Sequence, residues 1–357
     1  MQPIQTTPRL PALHCGGSPH DIGAAVGGHF ADRIHRCLEA HPKLYPEFVP
    51  SAQTPAGSAR YHRLLDLHRS RYPDYMAELE GIAAGADIAL SELFLINLRG
   101  EYAGLSGTAS IGGCSTGALH DNTASVIGHN EDGLAMYRGA TYFLAVSPQK
   151  GPSFGAFCYP GFLPGNAFGF NSAGICFCVN NVQPVFLREG IGRHFIARSI
   201  FEACSLDQAL EKVTPASRAS GFHYTLASIR ERRMVGVEVA PNHSRITPIQ
   251  GPYFHTNHYL ALENVAQNVS ESSRARLACG QRWIADGRLR GRGGILDLLR
   301  SREEALPVLR DGTPPDNLVT LATALFDLQN KTMTIYAGEA GSKETGPAIL
   351  ARMPLPH

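Results

Sequence analysis

Cys114 follows Gly112-Gly113 and precedes Ser115-Thr116. Neither glycine has a side chain to clash, and both tolerate backbone angles that other residues avoid, so a nucleophile there can approach its own backbone closely. The Cys114 thiol could attack the Gly113 carbonyl and move the acyl chain from nitrogen to sulfur. Hydrolysis of that thioester would free the α-amino group of Cys114. Such an amine has an ordinary pKa of about 7.7–8.0, so one residue would carry both a nucleophile and its general base. The plainer reading of the same residues is an inert buried cysteine beside a turn.

The other chemistry-bearing residues offer rivals. His129, His223, His255 or His258 could serve as base in a Cys–His dyad that needs no cleavage. With 15 histidines in the chain, such candidates also arise by accident. His255 and His258 could share a metal, but there is no H-E-x-x-H and no further ligand set nearby, so no metal is expected. The chain has no G-x-S-x-G elbow and no G-x-x-x-x-G-K-[ST] loop. Gly338 to Lys343 has the wrong glycine spacing, and Gly190-Ile191-Gly192 lacks the third glycine of a dinucleotide loop. No cofactor is called for.

The elements that must position Cys114 read in three blocks. Ser18-Pro19-His20-Asp21 is a helix start, and Ile22, Val26, Phe30, Ile34 and Leu38 place one apolar face along the helix that follows. Further helices are predicted near Tyr61–Arg71, from Pro73 and from Ser91. Residues 105–113 read as a glycine-rich linker. Strands follow at Val126-Ile127, Thr141–Val146, Phe154–Tyr159, Ala167–Phe170, Ile175–Val179, Tyr224–Ile229 and Val235–Val239, with a closing hairpin of Val319–Asp327 and Met333–Tyr336. Helices are predicted at about 193–213, 272–286 and 294–310. The sum is a layered α+β fold.

Composition narrows the partners. Lys and Arg number 32 against 31 Asp and Glu, a net charge of +1, so the basic excess of a nucleic-acid binder is missing. Arg288, Arg290 and Arg292 read as a solvated loop. No apolar run approaches the ~18–20 residues of a membrane span, and no secretory signal is visible at the start. Eight cysteines contain no C-x-x-C, and Cys176-x-Cys178 lies in an apolar stretch, so buried thiols in a reducing, cytoplasmic setting are expected.

Several segments together carry a resemblance. Gly113-Cys114-Ser115-Thr116, then Gly128-His129-Asn130-Glu131-Asp132, resembles the acyl-coenzyme A:6-aminopenicillanic acid acyltransferase family (peptidase family C45) of N-terminal-nucleophile hydrolases. Gly17 to Gly23 is similar to its opening helix, His255-Thr256-Asn257-His258 to its later His-Thr-Asn-His segment, and Thr320 to Asp327 to its final hairpin. The resemblance implies a four-layer αββα sandwich with a helical N-terminal segment. It implies self-cleavage between Gly113 and Cys114. Residues 1–113 would then be one chain and 114–357 the catalytic chain, the two staying together as heterodimer partners in one folded domain.

Carried over residue by residue, Cys114 matches the nucleophile, Asp132 an aspartate that orients the amine or the reacting groups, and Asn257 a side-chain amide of the oxyanion hole. The expected activity is hydrolysis of a small N-acylated amine through a thioester. Acyl transfer from an acyl-coenzyme A is the alternative, and a non-catalytic scaffold on the same fold is the second. Two departures bear on substrate. Some members carry Ser-Arg before the last hairpin, where this chain has Asp316-Asn317. The Asn-Glu-Asp form, with Glu131 replacing an aromatic residue, is similar to the branch that hydrolyses β-alanyl conjugates of biogenic amines. Phe154, Phe157, Tyr159, Phe162, Phe168 and Phe170 could line an acyl pocket or belong to the core. Residues 160–166 read as a loop over a sheet edge.

Overall fold

The computed structural model describes residues 5–7, 10–105, 113–314, 317–339 and 347–356. Strands β1 (Gln5–Thr6) and β2 (Ala12–Gly17) precede helix α1 (Pro19–Glu39). After a π-helical turn at Leu44–Phe48 come α2 (Val49–Gln53), α3 (Pro55–Arg71), α4 (Pro73–Ala86), α5 (Leu90–Asn97) and α6 (Arg99–Leu105). Strands β3 (Gly113–His120), β4 (Ser125–Leu134), β5 (Tyr142–Pro148), β6 (Phe154–Cys158), β7 (Phe168–Asn171) and β8 (Ile175–Asn181) follow. Then α7 (Arg193–Ser199) and α8 (Leu206–Val213) lead to β9 (Phe222–Ser228), β10 (Arg233–Val239), β11 (Ser244–Pro248) and β12 (Gly251–His255). Helices α9 (Glu271–Ala285) and α10 (Gly291–Leu299) precede β13 (Leu318–Asp327), β14 (Thr332–Ala337) and β15 (Ile349–Pro354).

The strands form two sheets. The smaller has the order β1-β15-β14-β13-β4-β3-β12 and the larger β11-β10-β9-β8-β7-β6-β5-β2. Their inner faces meet in one apolar layer, where Phe168 of the larger sheet lies 6.3 Å from Phe326 of the smaller, ring centre to ring centre. Helices α9 and α10 cover the outer face of the smaller sheet, burying Trp283, Ile295, Leu298 and Leu299 against Leu119, Val126, Phe254 and Leu325. Each such side chain contributes roughly 1.5–3 kcal/mol on full burial. Helices α1 and α8 lie on the larger sheet. The result is the four-layer αββα sandwich. Every position of β13 is buried, because its two faces are both covered.

The N-terminal segment is woven into this body. β2 runs parallel to β5 at the edge of the larger sheet. At the start of α1, Ser18 Oγ accepts the Asp21 N–H at 3.2 Å, and Asp21 Oδ2 accepts the Ser18 N–H at 3.1 Å. Helices α1 and α4 then cross at backbone contact. A Cβ on Gly23 or Gly27 would stand 2.0 or 2.4 Å from the carbonyl oxygens of Glu78 and Ile82. A Cβ on Gly81 or Gly85 would stand 2.2 or 2.4 Å from those of His20 and Ala24.

The structure departs from the sequence reading in places. Helix α10 stops at Leu299, and residues 300–314 run on without a helix. Pro307 cannot continue one, and the Leu309 N–H turns back to the Ser301 carbonyl at 3.1 Å. Strands β2, β11 and β12 lie at sheet edges. Their exposure and their Gly and Pro residues weaken the alternating pattern that reveals a strand. Residues 106–112 of the expected linker lie outside the described residues, and Gly113 already belongs to β3. Segment 160–166 is buried, tied down by Asn97, which donates to the Gly161 carbonyl and accepts the Leu163 N–H, both at 2.9 Å.

Gly81→Val should force α1 and α4 apart and lower stability by about 1–3 kcal/mol, read as a reduced urea midpoint. An unchanged midpoint would show that the helices do not meet at these glycines.

Candidate active site

The site is set by the pairing of β3 with β4. Gly113 stands opposite Asp132, Cys114 opposite Glu131, Ser115 opposite Asn130 and Thr116 opposite His129. Residues directly opposite share a face, and successive residues alternate. Cys114, Thr116, His129 and Glu131 therefore face the larger sheet, while Ser115, Asn130 and Asp132 face the helices. The contacts agree. Thr116 Oγ1 donates to Asn180 Oδ1 of β8 at 2.7 Å, whereas Asn130 Nδ2 donates to the carbonyls of Leu299 and Val308.

The Cys114 peptide is clamped from two long-range positions. Its N–H donates to Asn257 Oδ1 at 3.0 Å. Arg276, on α9 and 1% exposed, donates to the Cys114 carbonyl at 2.6 Å, to Ser115 Oγ at 2.8 Å and to Asn257 Oδ1 at 2.7 Å. Asn257 Nδ2 donates to the Asn181 carbonyl at 2.9 Å. Two donors meet Oδ1 and one acceptor meets Nδ2, so the amide has one orientation.

On the other face, Asp132 Oδ1 accepts from Thr320 Oγ1 at 2.7 Å, and Oδ2 lies 3.5 Å from Arg310 Nη1. A register shift in β13 between Thr320 and Ala322 falls opposite Asp132 and Glu131, a bulge that turns the threonine to the carboxylate. The Arg310 guanidinium also fills the space that a Cβ on Gly113 would need, so residue 113 is glycine for a steric reason.

The sulfur's nearest polar partners lie on its own face. Cys114 Sγ is 3.9 Å from Glu131 Oε2. That oxygen is 3.0 Å from His129 Nε2, and Tyr159 donates to Glu131 Oε1 at 2.5 Å. Donor atoms of Cys114, His129 and Glu131 all lie within 4.8 Å of one another, so the three could in principle be offered to a cation. They are hydrogen-bonded to one another, and Glu131 and His129 also to Tyr159 and Thr116, an arrangement suited to moving protons. Cys114 and Glu131 lie on the floor of a cavity with about 800 Å³ of space free of protein atoms, its open mouth included. Tyr137, Tyr159 and Phe222 give it aromatic walls, and Lys43, Phe48 and Arg99 come from the N-terminal segment.

Burial sets the ionisation here. It pushes the Cys114 thiol up, helped by the charge of Glu131, while His129 pulls the other way. Burial alone would hold His129 neutral, but Cys178, Cys114 and Glu131 more than offset it and keep the ring well above the usual imidazole range. Asp132 is raised by burial, with Arg310, Arg276 and Thr320 opposing.

The acyl-coenzyme A:6-aminopenicillanic acid acyl-transferase family model matches residues 119–342, more than half of the chain. The chain belongs to this family. It is 26% identical to the β-alanyl-dopamine/carcinine hydrolase of Drosophila melanogaster over 94% of each chain. It is 26% identical to the 40 kDa form of the acyl-coenzyme A:6-aminopenicillanic-acid-acyltransferase of Emericella nidulans over 51% of each. A more distant likeness, with TM-score 0.44 and 12% identity, links 68% of this chain to the whole of a Caenorhabditis elegans N-acylethanolamine-hydrolyzing acid amidase ortholog.

In this family member Cys114 and Asn257 meet directly, and Asp132 sits one residue out of step, opposite Gly113. The alternative bases separate. His129 lies by the sulfur, while His223 and His255 stack on each other at 3.5 Å deep in the core. His255 is paired with Glu238 at 3.0 Å, and His258 Nδ1 bonds Ser273 Oγ at 2.8 Å. Of the six aromatics proposed for the acyl pocket, Tyr159 lines the cavity and the other five belong to the core. Asp316 lies outside the described residues. Arg276 and Arg310 escaped the sequence reading. The signal for Arg276 was a lone arginine on the apolar side of an otherwise ordinary helix, between Ser273 and Cys279.

Arg310→Met tests the Asp132 setting. Asp132 is raised in the folded chain, so its protonated form is favoured there, and stability falls as pH rises from the ordinary aspartate value of 3.8 through the folded value. Removing the guanidinium raises the folded value further and widens that loss. The variant should be destabilised by about 3 kcal/mol at pH 7 and by clearly less at pH 4, measured by urea unfolding. A penalty that does not depend on pH would contradict the coupling.

Proposed function

We propose that this chain is a self-cleaving cysteine amidohydrolase acting on small N-acylated amines, with β-alanyl amines as the substrate class. The observation that carries the reading is the setting of Cys114. Its thiol lies on the floor of the cavity, and its nitrogen, the atom that cleavage turns into an amine, is held by Asn257 Oδ1 at 3.0 Å.

After cleavage at Gly113–Cys114, the amine keeps one N–H on Asn257 and turns its lone pair to the thiol. The thiolate attacks the substrate carbonyl, the amine passes the proton to the leaving amine, and water releases the acid. The second N–H of the Asn257 amide, with a backbone N–H, holds the oxyanion. One such donor contributes about 2.7–4 kcal/mol in comparable sites. Asp132, partly neutralised by Arg310, orients the ammonium form without locking it.

The β-alanyl class is supported by the name of the fly relative, alike over nearly the full chain. It is supported too by Glu131 on the cavity floor, whose carboxylate suits an acyl group ending in an ammonium. Acyl transfer from a coenzyme A thioester is the second reading, favoured by Lys43 and Arg99 on the wall, cations able to meet phosphate. Residues 1–113 remain as heterodimer partner of 114–357 in this reading, since they supply part of that wall. A reducing, cytoplasmic compartment suits eight free cysteines. Among the described residues no helix is long and apolar enough to cross a membrane.

Wild-type chain should resolve into residues 1–113 and 114–357 on a denaturing gel and in intact mass. Cys114→Ala should stay whole and lose turnover of β-alanyl amines, other N-acyl amines and acyl-coenzyme A donors by at least about a thousandfold. Full turnover by Cys114→Ala would remove the nucleophile and leave a binding or scaffold role for the residue.

A further inference from the structure

Maturation poses a problem that the mature mechanism does not solve. Before cleavage the Cys114 nitrogen is an amide, and its hydrogen is donated to Asn257 Oδ1. It has no lone pair to offer a proton, so the base that serves the finished enzyme does not yet exist when the first bond must be cut. Some other group has to take the thiol's proton. Asp132 faces the helices and is engaged by Thr320 and Arg310.

We infer that Glu131, held by His129 and Tyr159, is the base that starts self-cleavage. The inference rests on the proposed role of Cys114. Glu131 Oε2 is the carboxylate oxygen beside the sulfur, at 3.9 Å, and the ladder fixes it there because Glu131 is the residue directly opposite Cys114. The hydrogen bonds around it give a proton count once Asn180 is placed with its Oδ1 toward Thr116 and His223. Tyr253 Oη lies 2.8 Å from His223 Nε2, and His223 Nδ1 lies 3.2 Å from Asn180 Oδ1. Thr116 spends its only hydrogen on the same Asn180 oxygen, so it accepts from His129 Nδ1 at 2.8 Å. His129 Nε2 and Glu131 Oε2 then share a single proton across 3.0 Å. Tyr159 donates to the other carboxylate oxygen. The pair is neutral as a unit and has room for one more proton.

The step balances without an outside reagent. The thiol proton passes to Glu131 Oε2 while Sγ attacks the Gly113 carbonyl carbon, closing a five-membered ring. The new C–S bond forms and the carbonyl π pair moves to oxygen. Collapse breaks the C–N bond, and Glu131 returns its proton to the departing nitrogen. One water then hydrolyses the thioester to the Gly113 carboxylate and the Cys114 thiol, and the proton released goes to the new Cys114 amine. Glu131 thus acts on the reacting sulfur, and His129 and Tyr159 are positioning residues.

The test follows freshly translated full-length chain as it converts to fragments. E131Q keeps the shape and removes the base, so the first-order rate should fall at least a hundredfold, within the usual span for a lost general base of about 10²–10⁴-fold. Hydroxylamine, which cleaves thioesters, should not restore it, because the thioester never forms. Wild-type speed in E131Q, or full rescue by hydroxylamine, would overturn the inference. If E131Q lacks the cooperative melt of uncut C114A, E131D decides instead. Its carboxylate is drawn back by one methylene and should slow cleavage about tenfold, and wild-type speed would again overturn the inference. A wild-type chain that never cleaves would sink the proposed function itself, a different result from a wild type that cleaves alongside an equally fast E131Q.

Discussion

A single register, Cys114 opposite Glu131 and Gly113 opposite Asp132, decides what each reacting atom can touch. Because side chains alternate across a sheet, a slip of one residue would send the sulfur to the helix side and Asp132 to the cavity. The register is held from both faces. Ile295 and Leu299 of α10 fill the space beside Gly128, and Thr116 is bonded across the sandwich to Asn180. The αββα layering is thus the reason that the Cys114 sulfur and the Cys114 nitrogen keep different partners. The sulfur lies in an inter-sheet polar cluster, and the nitrogen lies in the sheet edge beside β12.

Burial makes the arrangement consequential. Cys114, Glu131 and Asp132 are each no more than 5% exposed. Polar groups so placed are costly unless paired, and here the pairs reach far along the chain. Arg276 joins the Cys114 carbonyl to Asn257, and Arg310 meets Asp132 beside Gly113. Two guanidiniums therefore bracket the bond proposed for cleavage. Asp316-Asn317 stands where some members of the family carry Ser-Arg, a departure that bears on substrate. Arg310 brings a cation to the Asp132 carboxylate from a different place in the chain.

The sequence made some of this legible and hid the rest for physical reasons. Cys114, Asp132 and Asn257 were visible because glycine next to cysteine, and asparagine near aspartate, are local patterns that a family resemblance can anchor. The capping box at Ser18 was legible for the same reason, since all its atoms lie within one turn. Arg276 and Arg310 were not, because their roles depend on where helices land on a sheet. Glu131 was noticed only as a departure in type, and its place beside the sulfur needed the β3–β4 register. The aromatic run from Phe154 to Phe170 showed how alternation can mislead. Strands buried on both faces put such residues into the core whatever their chemistry, and Tyr159 reaches the cavity because it lies just past the end of β6.

The account stands on Cys114 becoming a terminal residue whose own nitrogen serves its sulfur. Mapping covalent capture is the most direct measurement: the purified protein is treated with an N-chloroacetyl amine, digested, and the alkylated cysteine located by mass spectrometry. The account predicts label on the sulfur of Cys114 ahead of the exposed Cys204, in a peptide that begins with Cys114 and carries a free amine. A Cys114 left unlabelled while the exposed Cys204 reacts, or label on a Cys114 still joined to Gly113, would contradict it.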